Sequence, residues 1–427
     1  MKTKKINWTS FSKKPLNERL EHLEKNQVLP DDSLSILREN QQLHLETADH
    51  ISENVLGTLS LPFALVPDVE VDGDIYQVPF AIEEPSVVAA ASFAAKIIKR
   101  SGGFTTTVHD RKMIGQVALY NLPNLKIAEQ EILKHETLLL SIANEAYPSI
   151  VKRGGGAQAL RTDIKDEFLI IYLIVDTKEA MGANIVNTMM ESLAPVLEEL
   201  SGGQSLMSIL SNYATESLVT ATCQVDLRFL SRNKEEAQKL AKKMSLASKL
   251  AQVDTYRACT HNKGIFNGID AVVLATGNDW RAIESGGHAF ASKDGQYRGL
   301  STWDFDEDKQ VLKGRLTLPM PIATKGGSIG LNPTVTIAHD FLKQPNAQTL
   351  ASIIVSIGLA QNFAALKALT STGIQAGHMK LHAKSLALLA GAKQMEIGPL
   401  VNNLLEAKHR NLETAKAILS NIRNSKN

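Results

Sequence analysis

From residue 113 to residue 229 apolar runs of two different periods alternate, and few folds accommodate that alternation. Residues 113–120 read as a strand and 126–147 carry a helical period. Residues 157–164 and 167–176 read as two strands, 183–200 as a helix and 218–229 as a further strand. Strand, helix, strand, strand, helix, strand is the order of a ferredoxin-like split unit. A chain of 427 residues is too long for one typical core, so two or three domains are expected. We therefore take roughly 110–218 as an inserted ferredoxin-like domain, in an α+β fold whose remainder is a large mixed α/β domain.

The flanking segments complete the outline. Residues 1–50 are polar, with leucines three or four apart, and read as helical. Residues 53–69 break repeatedly at Gly and Pro, and 74–82 read as a strand. Residues 83–103 read as a helix, with Pro85 in its first turn and Gly102 to stop it. Residues 234–251 form a charged amphipathic helix. The run 269–276 reads as a strand entering a core, 281–292 as a helix, and 317–333 as a loop rich in Gly and Pro. Helical patterns return at 350–369 and 378–392, followed by a polar tail.

Composition narrows the function classes. Hydrophobic residues make up 44% and charged residues 21%, as in ordinary globular enzymes, and the net charge of +1 leaves no footprint for nucleic acid or an anionic membrane. The N-terminal stretch has no apolar signal core, and no run approaches ~18 uninterrupted apolar residues, so no membrane span is expected. The two cysteines, Cys223 and Cys259, are too far apart for a C-x-x-C motif and suggest a reducing cytoplasm.

Four motifs carry possible chemistry. RGGGAQA (153–159) formally fits a dinucleotide fingerprint, but no strand precedes it and no clean helix follows, so a flexible turn is the better reading. His378 and His382 share a helix face, yet no H-E-x-x-H pattern or neighbouring Cys/His/Asp cluster accompanies them, and no metal is expected. Glu83 and Glu84 before Pro85 suit a helix dipole; a carboxylic acid beside an apolar run also suits a proton donor. Lys263 and Asp279 flank the run 269–276 among Gly264, Gly268, Gly277, Asn262, Asn267 and Asn278. An ordinary ion pair needs no such setting, whereas a lysine held by a carboxylate is a good stabiliser of a developing oxyanion.

The segments ENVLG (53–57), EEPSVVAAAS (83–92), EAMGANIVNT (179–188), HNKGIFNGID (261–270), ATGNDWRAIE (275–284) and GHMKLH (377–382) follow one another along nearly the whole chain. Together they resemble 3-hydroxy-3-methylglutaryl-coenzyme A reductase of the soluble bacterial class II type. The resemblance implies a thioester reduced twice by reduced nicotinamides, to mevalonate and free CoA, through a thiohemiacetal and an aldehyde. By the same match Lys263 would polarise the carbonyl and stabilise both alkoxides. Asp279 would hold the lysine and link it to the glutamate. Glu84 would protonate the aldehyde oxygen, and His378 the departing CoA thiolate. Arg257, Ser86 and Asn267 match positions that hold the hydroxymethylglutaryl group, and an arginine fork suits its carboxylate.

For the cofactor, EAMGANIVNT resembles the family's DAMGAN segment, which implies contacts from Glu179, Met181, Gly182, Ala183 and Asn184 at a helix N-terminus suited to a pyrophosphate. Glu179 stands where Asp is usual. Members that prefer NAD carry an acidic residue about where this chain has Tyr147; the nearby Lys152 and Arg153 would accept a 2′-phosphate, so NADPH is expected over NADH. The family's architecture implies a large substrate domain (1–109 and 219–374), the small cofactor domain (110–218) and a C-terminal helical flap (375–427) carrying His378. It also implies a cytoplasmic homodimer with the active site at the subunit interface and HMG-CoA and CoA as ligands. Two other readings stand beside it. A CoA-dependent acyltransferase or lyase would want a reactive cysteine or a metal cluster. A non-catalytic metabolite-binding protein would not need Lys263, Asp279, Glu84 and His378 together.

Overall fold

The computed structural model describes residues 6–327, 329–371 and 375–424, the side chains of 375–381 excepted. Three short helices, Leu16–Lys25 (α1), Asp31–Arg38 (α2) and Leu45–Ile51 (α3), lead into strands Phe63–Val71 (β1) and Asp74–Ala81 (β2) and helix Val87–Arg100 (α4). Phe104–Val108 (β3) and Met113–Tyr120 (β4) follow, then Leu125–Lys134 (α5), Glu136–Ala146 (α6) and Pro148–Val151 (α7). Gly156–Lys165 (β5), Phe168–Asp176 (β6), Ala183–Ser201 (α8), Gln204–Ser211 (β7) and Leu218–Asp226 (β8) come next. The second half holds Lys234–Val253 (α9), Thr255–Ala275 (α10), Trp280–Ala291 (α11), Ser301–Asp306 (β9), Val311–Pro319 (β10), Pro333–Phe341 (α12) and Ala347–Thr370 (α13). Gln375–Leu389 (α14), Gln394–Glu406 (α15) and Leu412–Asn424 (α16) close the chain.

The strands form two sheets. The smaller has the order β5-β6-β4-β7, antiparallel throughout, with α5, α6 and α8 packed on it. This is the split βαββαβ arrangement read from the sequence, with one correction: its fourth strand is β7, not residues 218–229. Those residues form β8, which is buried along most of its length because it lies inside the larger sheet, β2-β1-β3-β8-β10-β9. β7 escaped the sequence reading because it is an edge strand whose exposed positions do not alternate. Strands β1, β3, β9 and β10 and helix α12 were also unread.

The larger correction concerns 269–276. These residues are not a strand; they end α10, a helix of 21 residues. Ile269, Ala271, Val272, Val273 and Ala275 are all buried, so the helix is apolar on nearly every side and its period gives no clue to its type. Gly268 lets it lie close to α13: a Cβ there would stand 3.1 Å from Gln361 Cβ and from Ile357. Helix α13 is the centre of the large core, with almost every residue from Leu350 to Phe363 buried. By length and composition α13 is apolar enough to cross a membrane, but 89% of its apolar window is buried inside the protein. Pro85 likewise lies outside its helix, since α4 starts at Val87.

Candidate active site

The candidate residues fall in two groups, or half-sites, one along α10 and one beyond its C-terminus. The first joins Glu84, just before Ser86 and α4, to Lys263 on α10, the helix that also carries Arg257 and Asn267. Ser86 caps α4 with φ 75°, a left-handed backbone that a non-glycine residue adopts only where its surroundings hold it. It follows Glu84 and Pro85, and Glu84 reaches across to α10: Lys263 Nζ lies 2.5 Å from Glu84 Oε2, a contact between residues 179 apart in sequence. The lysine is 59% and the glutamate 36% exposed, so the pair contributes little to stability. Its weight is chemical: a cation beside a carboxyl group, both open to a ligand. On α10 the Arg257 guanidinium and the Asn267 amide have no hydrogen-bond partner among the described residues. Partial burial holds Arg257 below the usual arginine range.

A buried network fixes the rotation of α10 beneath these residues. His261 Nε2 is 2.7 Å from Ser301 Oγ, which donates to Asn362 Oδ1 at 2.8 Å, and Trp303 Nε1 donates to the same oxygen at 2.8 Å. Burial, and then the nearby Arg257, push the His261 imidazole down to about 3, so it is neutral at any physiological pH. Asn262 donates to Arg298 O and accepts from Leu300 N. Asn278 exchanges two hydrogen bonds with the backbone of Ala323. Asn262 and Asn278 therefore both serve as backbone struts, and Asn278 also lines the cavity described below. A sequence cannot distinguish the two uses, because the partners are backbone groups tens of residues away.

Asp279 belongs to the second half-site and does not meet Lys263 within the chain. Its carboxylate caps α11, accepting from Arg281 N and Ala282 N, and pairs with the Arg281 side chain at 3.3 Å. The reason is geometric. Lys263 sits 12 residues before the C-terminus of α10, about 18 Å at the helical rise. Gly277 turns the chain with φ +70°, and α11 then runs back along α10. Of the glycines singled out here, Gly268 packs α10 on α13 and Gly277 turns the chain and lines a cavity, whereas a Cβ at Gly264 would meet nothing within 4 Å.

That cavity, about 1060 Å³, is lined by residues 177–185 together with Asp279, Ala323, Lys325, Gly326, Gly327 and Ile329. Met181, Gly182, Ala183, Asn184 and Arg153 line it together with Tyr147, while Lys152 does not. Gly182 caps α8 with φ +94°, and a Cβ there would collide with Thr177, so the close backbone approach needs glycine. The exposed NH groups of α8 point at the cavity, the ordinary cradle for a pyrophosphate. Lys325, unremarked in the sequence, also lines it.

Glu179 also lines the cavity, but its carboxylate is engaged elsewhere. Oε2 accepts from Thr324 Oγ1 at 2.6 Å and from Ala347 N at 2.8 Å, at the start of α13. Its carbonyl accepts from Thr324 N. The methylene that distinguishes it from aspartate thus carries a clasp between the small sheet and α13. Arg111 adds a second strut, donating to Ala180 O and Ile322 O. The His378 side chain lies outside the described residues; His382 is exposed on α14. No group of three or more His, Cys, Asp or Glu able to hold a metal occurs among the described residues.

The model of the family described as hydroxymethylglutaryl-coenzyme A reductase matches residues 15–383. A 3-hydroxy-3-methylglutaryl-coenzyme A reductase of Archaeoglobus fulgidus is 40% identical over 417 residues, 97% of this chain and 94% of that protein. The solved 3-hydroxy-3-methylglutaryl-coenzyme A reductase of Streptococcus pneumoniae is 62% identical, with a TM-score of 0.86 over 98% of this chain and 100% of that one. A class II structure from the same organism, bound to NADPH in open conformations, is 61% identical with a TM-score of 0.85, over 86% of this chain and 100% of that one.

Proposed function

The chain belongs to the hydroxymethylglutaryl-coenzyme A reductase family, and from that membership we propose how its residues divide the reaction. The enzyme is an NADPH-dependent oxidoreductase of the mevalonate pathway. The thioester of hydroxymethylglutaryl-CoA takes up two hydrides and two protons, giving mevalonate, free CoA and two NADP⁺. NADPH supplies the hydrides; the protein supplies charge stabilisation, protons and position.

In this reading Lys263 stabilises the oxyanion formed at each reduction, and Glu84 delivers the proton to the aldehyde oxygen. Arg257, with no carboxylate partner, takes the substrate carboxylate; Ser86 and Asn267 fix the acyl group. His378 protonates the CoA thiolate. The cofactor lies in the cavity before α8, with Met181 to Asn184 along it and Arg153 at the 2′-phosphate. Lys325, which lines the same cavity, joins this set. Glu179 shapes the cavity through its clasp. The observation that carries the reading is the Lys263–Glu84 contact, which joins the turn before α4 to α10 across 179 residues without a structural need for it.

The two half-sites lie too far apart in one chain to share a substrate, so we assign the working enzyme as a homodimer in which each site draws on both subunits. Leu56 is 100% and Leu59 94% exposed in an extended segment, and Leu246, Leu250 and Val253 form an exposed stripe on α9. Such surfaces are ordinarily covered by a partner. We assign 1–109 and 219–374 to the substrate domain, 110–218 to the cofactor domain and 375–427 to a flap, a division supported by separate buried clusters. A cytoplasmic location accompanies this reading.

The test is the loss of reduced-nicotinamide absorbance with purified protein and hydroxymethylglutaryl-CoA. Oxidation of two NADPH for each CoA released is expected. Folded protein that oxidises neither NADPH nor NADH would leave the motifs to another thioester or to binding alone.

A further inference from the structure

Helix α4 carries an exposed stripe that begins beside Ser86 and ends at a basic pocket with no part in the chemistry assigned so far. Ala89, Phe93, Lys96 and Arg100 are all exposed. Their spacing of four, three and four puts them on one face of the helix, starting three residues on from Ser86. Lys96 lies 10 residues and Arg100 14 residues beyond Ser86, about 15 and 21 Å at the helical rise. At the far end of the stripe a cavity of about 390 Å³ opens between α4 and the segment that leads from β8 into α9. Phe93, Lys96 and Arg100 line it from α4, and Arg228, Phe229 and Arg232 from that segment.

Four cations around one small cavity repel one another, and only one of them has a carboxylate partner. Arg228 pairs with Asp226 at 2.9 Å. Glu236, in the first turn of α9, accepts from Ser231 instead. Lys96, Arg100 and Arg232 have no hydrogen bond or ion pair among the described residues. Two of the arginines are gathered by one ring: Arg228 stands 4.8 Å and Arg100 5.9 Å from the centroid of Phe229. Lys367, near the end of α13, lies 5.3 Å from the centroid of Phe93 and adds a fifth positive charge.

Uncompensated positive charge beside aromatic rings is the chemistry that holds a phosphorylated nucleotide. Arginine and lysine take the phosphate oxygens, and a ring takes the base. We propose, on the reductase reading above, that this pocket is a subsite for a phosphorylated adenine nucleotide, with its phosphates on Lys96, Arg100 and Arg232 and its adenine against Phe93, which is 44% exposed. Two molecules present that group. One is the substrate, whose CoA ends in 3′-phosphoadenosine diphosphate; its extended pantetheine arm matches the distance from Ser86 to the pocket and would pass over the small side chain of Ala89. The other is a free adenine nucleotide, bound without any acyl end.

Arg100→Glu with Arg232→Glu, and the milder pair Arg100→Gln with Arg232→Gln, remove the charge without touching Glu84, Arg257 or Lys263. Binding of adenosine 3′,5′-bisphosphate is measured by calorimetry with NADPH present at saturation, so that the cofactor cavity is filled. KM is measured for hydroxymethylglutaryl-CoA and for hydroxymethylglutaryl-pantetheine, the same thioester without the nucleotide. Wild type is expected to bind the bisphosphate, and both double variants to bind it at least about tenfold more weakly, as for the loss of one hydrogen bond to a charged group. If CoA supplies the nucleotide, KM for hydroxymethylglutaryl-CoA rises by a similar factor while KM for the pantetheine thioester stays at the wild-type value. If the nucleotide comes from solution, neither KM moves. Bisphosphate binding that is absent from wild type, or equal in wild type and both double variants, overturns the proposal. Protein that binds the bisphosphate as expected but never oxidises NADPH removes the reductase reading and leaves the pocket assigned.

Discussion

Lys263, catalytic in the reading proposed above, contributes little to stability. Its contact with Glu84 is half-exposed, and such pairs contribute about 0–1 kcal/mol. Lys263→Ala is therefore expected to melt within a few degrees of wild type while turnover falls by at least about 10²–10³. NADPH oxidation and circular dichroism on one preparation check both halves, and a variant with half the wild-type rate sinks the assignment. Arg153 permits a sharper test than its neighbour. Only Arg153 lines the cofactor cavity, so Arg153→Glu should raise KM for NADPH at least about tenfold more than KM for NADH, whereas Lys152→Glu leaves the ratio near that of wild type. Equal changes for both cofactors in Arg153→Glu would place the 2′-phosphate elsewhere. These residues were legible because their spacing in HNKG, EEPS and EAMGAN is local. What the same motifs concealed is which polar groups face a ligand. Asn262 and Asn278 stand beside Lys263 and Asp279 in sequence, yet both serve distant backbone.

At the scale of elements, legibility followed solvent. Amphipathic α9 and the polar-faced helices around the small sheet betray their period, because one face meets water. Buried α10 does not, and its end was read as a strand. β9 and β10 do alternate between buried and exposed positions, so their signal was present and went unread. The Asp279 role implied by the resemblance does not depend on the strand reading: within one chain the 12 helical residues after Lys263 hold the two apart by about 18 Å of rise. Elements also need joining, and Glu179 does this for the small sheet and α13. Removing its carboxylate strands the Thr324 hydroxyl and the Ala347 NH that it now accepts from. Hydrogen bonds to a charged group contribute roughly 1.5–3 kcal/mol. Glu179→Ala should lower stability by about that amount in urea denaturation and raise KM for NADPH, because the clasp forms part of the cavity wall. Unchanged KM with lowered stability would confine Glu179 to the fold.

The whole molecule poses a question that neither half-site answers alone. Glu84 and Lys263 meet near the middle of α10, while Asp279 and the large cavity lie beyond its C-terminus, 12 residues or about 18 Å of helical rise further on. On the proposed reading, each substrate therefore meets the partner chain's cofactor. A two-fold dimer solves this twice over, since a symmetric interface presents each half-site to its counterpart. The arrangement makes a quantitative prediction. Lys263→Ala and Asp279→Ala should each be inactive as homodimers. Mixed by joint refolding, half of the dimers carry one chain of each kind. In those dimers one site holds both substitutions and the other holds neither, so the second is intact. Random mixing should therefore restore about a quarter of wild-type activity. Were Lys263 and Asp279 to act within one chain, every site would carry one substitution and the mixture would stay inactive. The rate of the mixture, read against the parent variants and a refolded wild-type control, thus decides whether the 12 residues between Lys263 and the end of α10 divide an active site or merely space two ends of one.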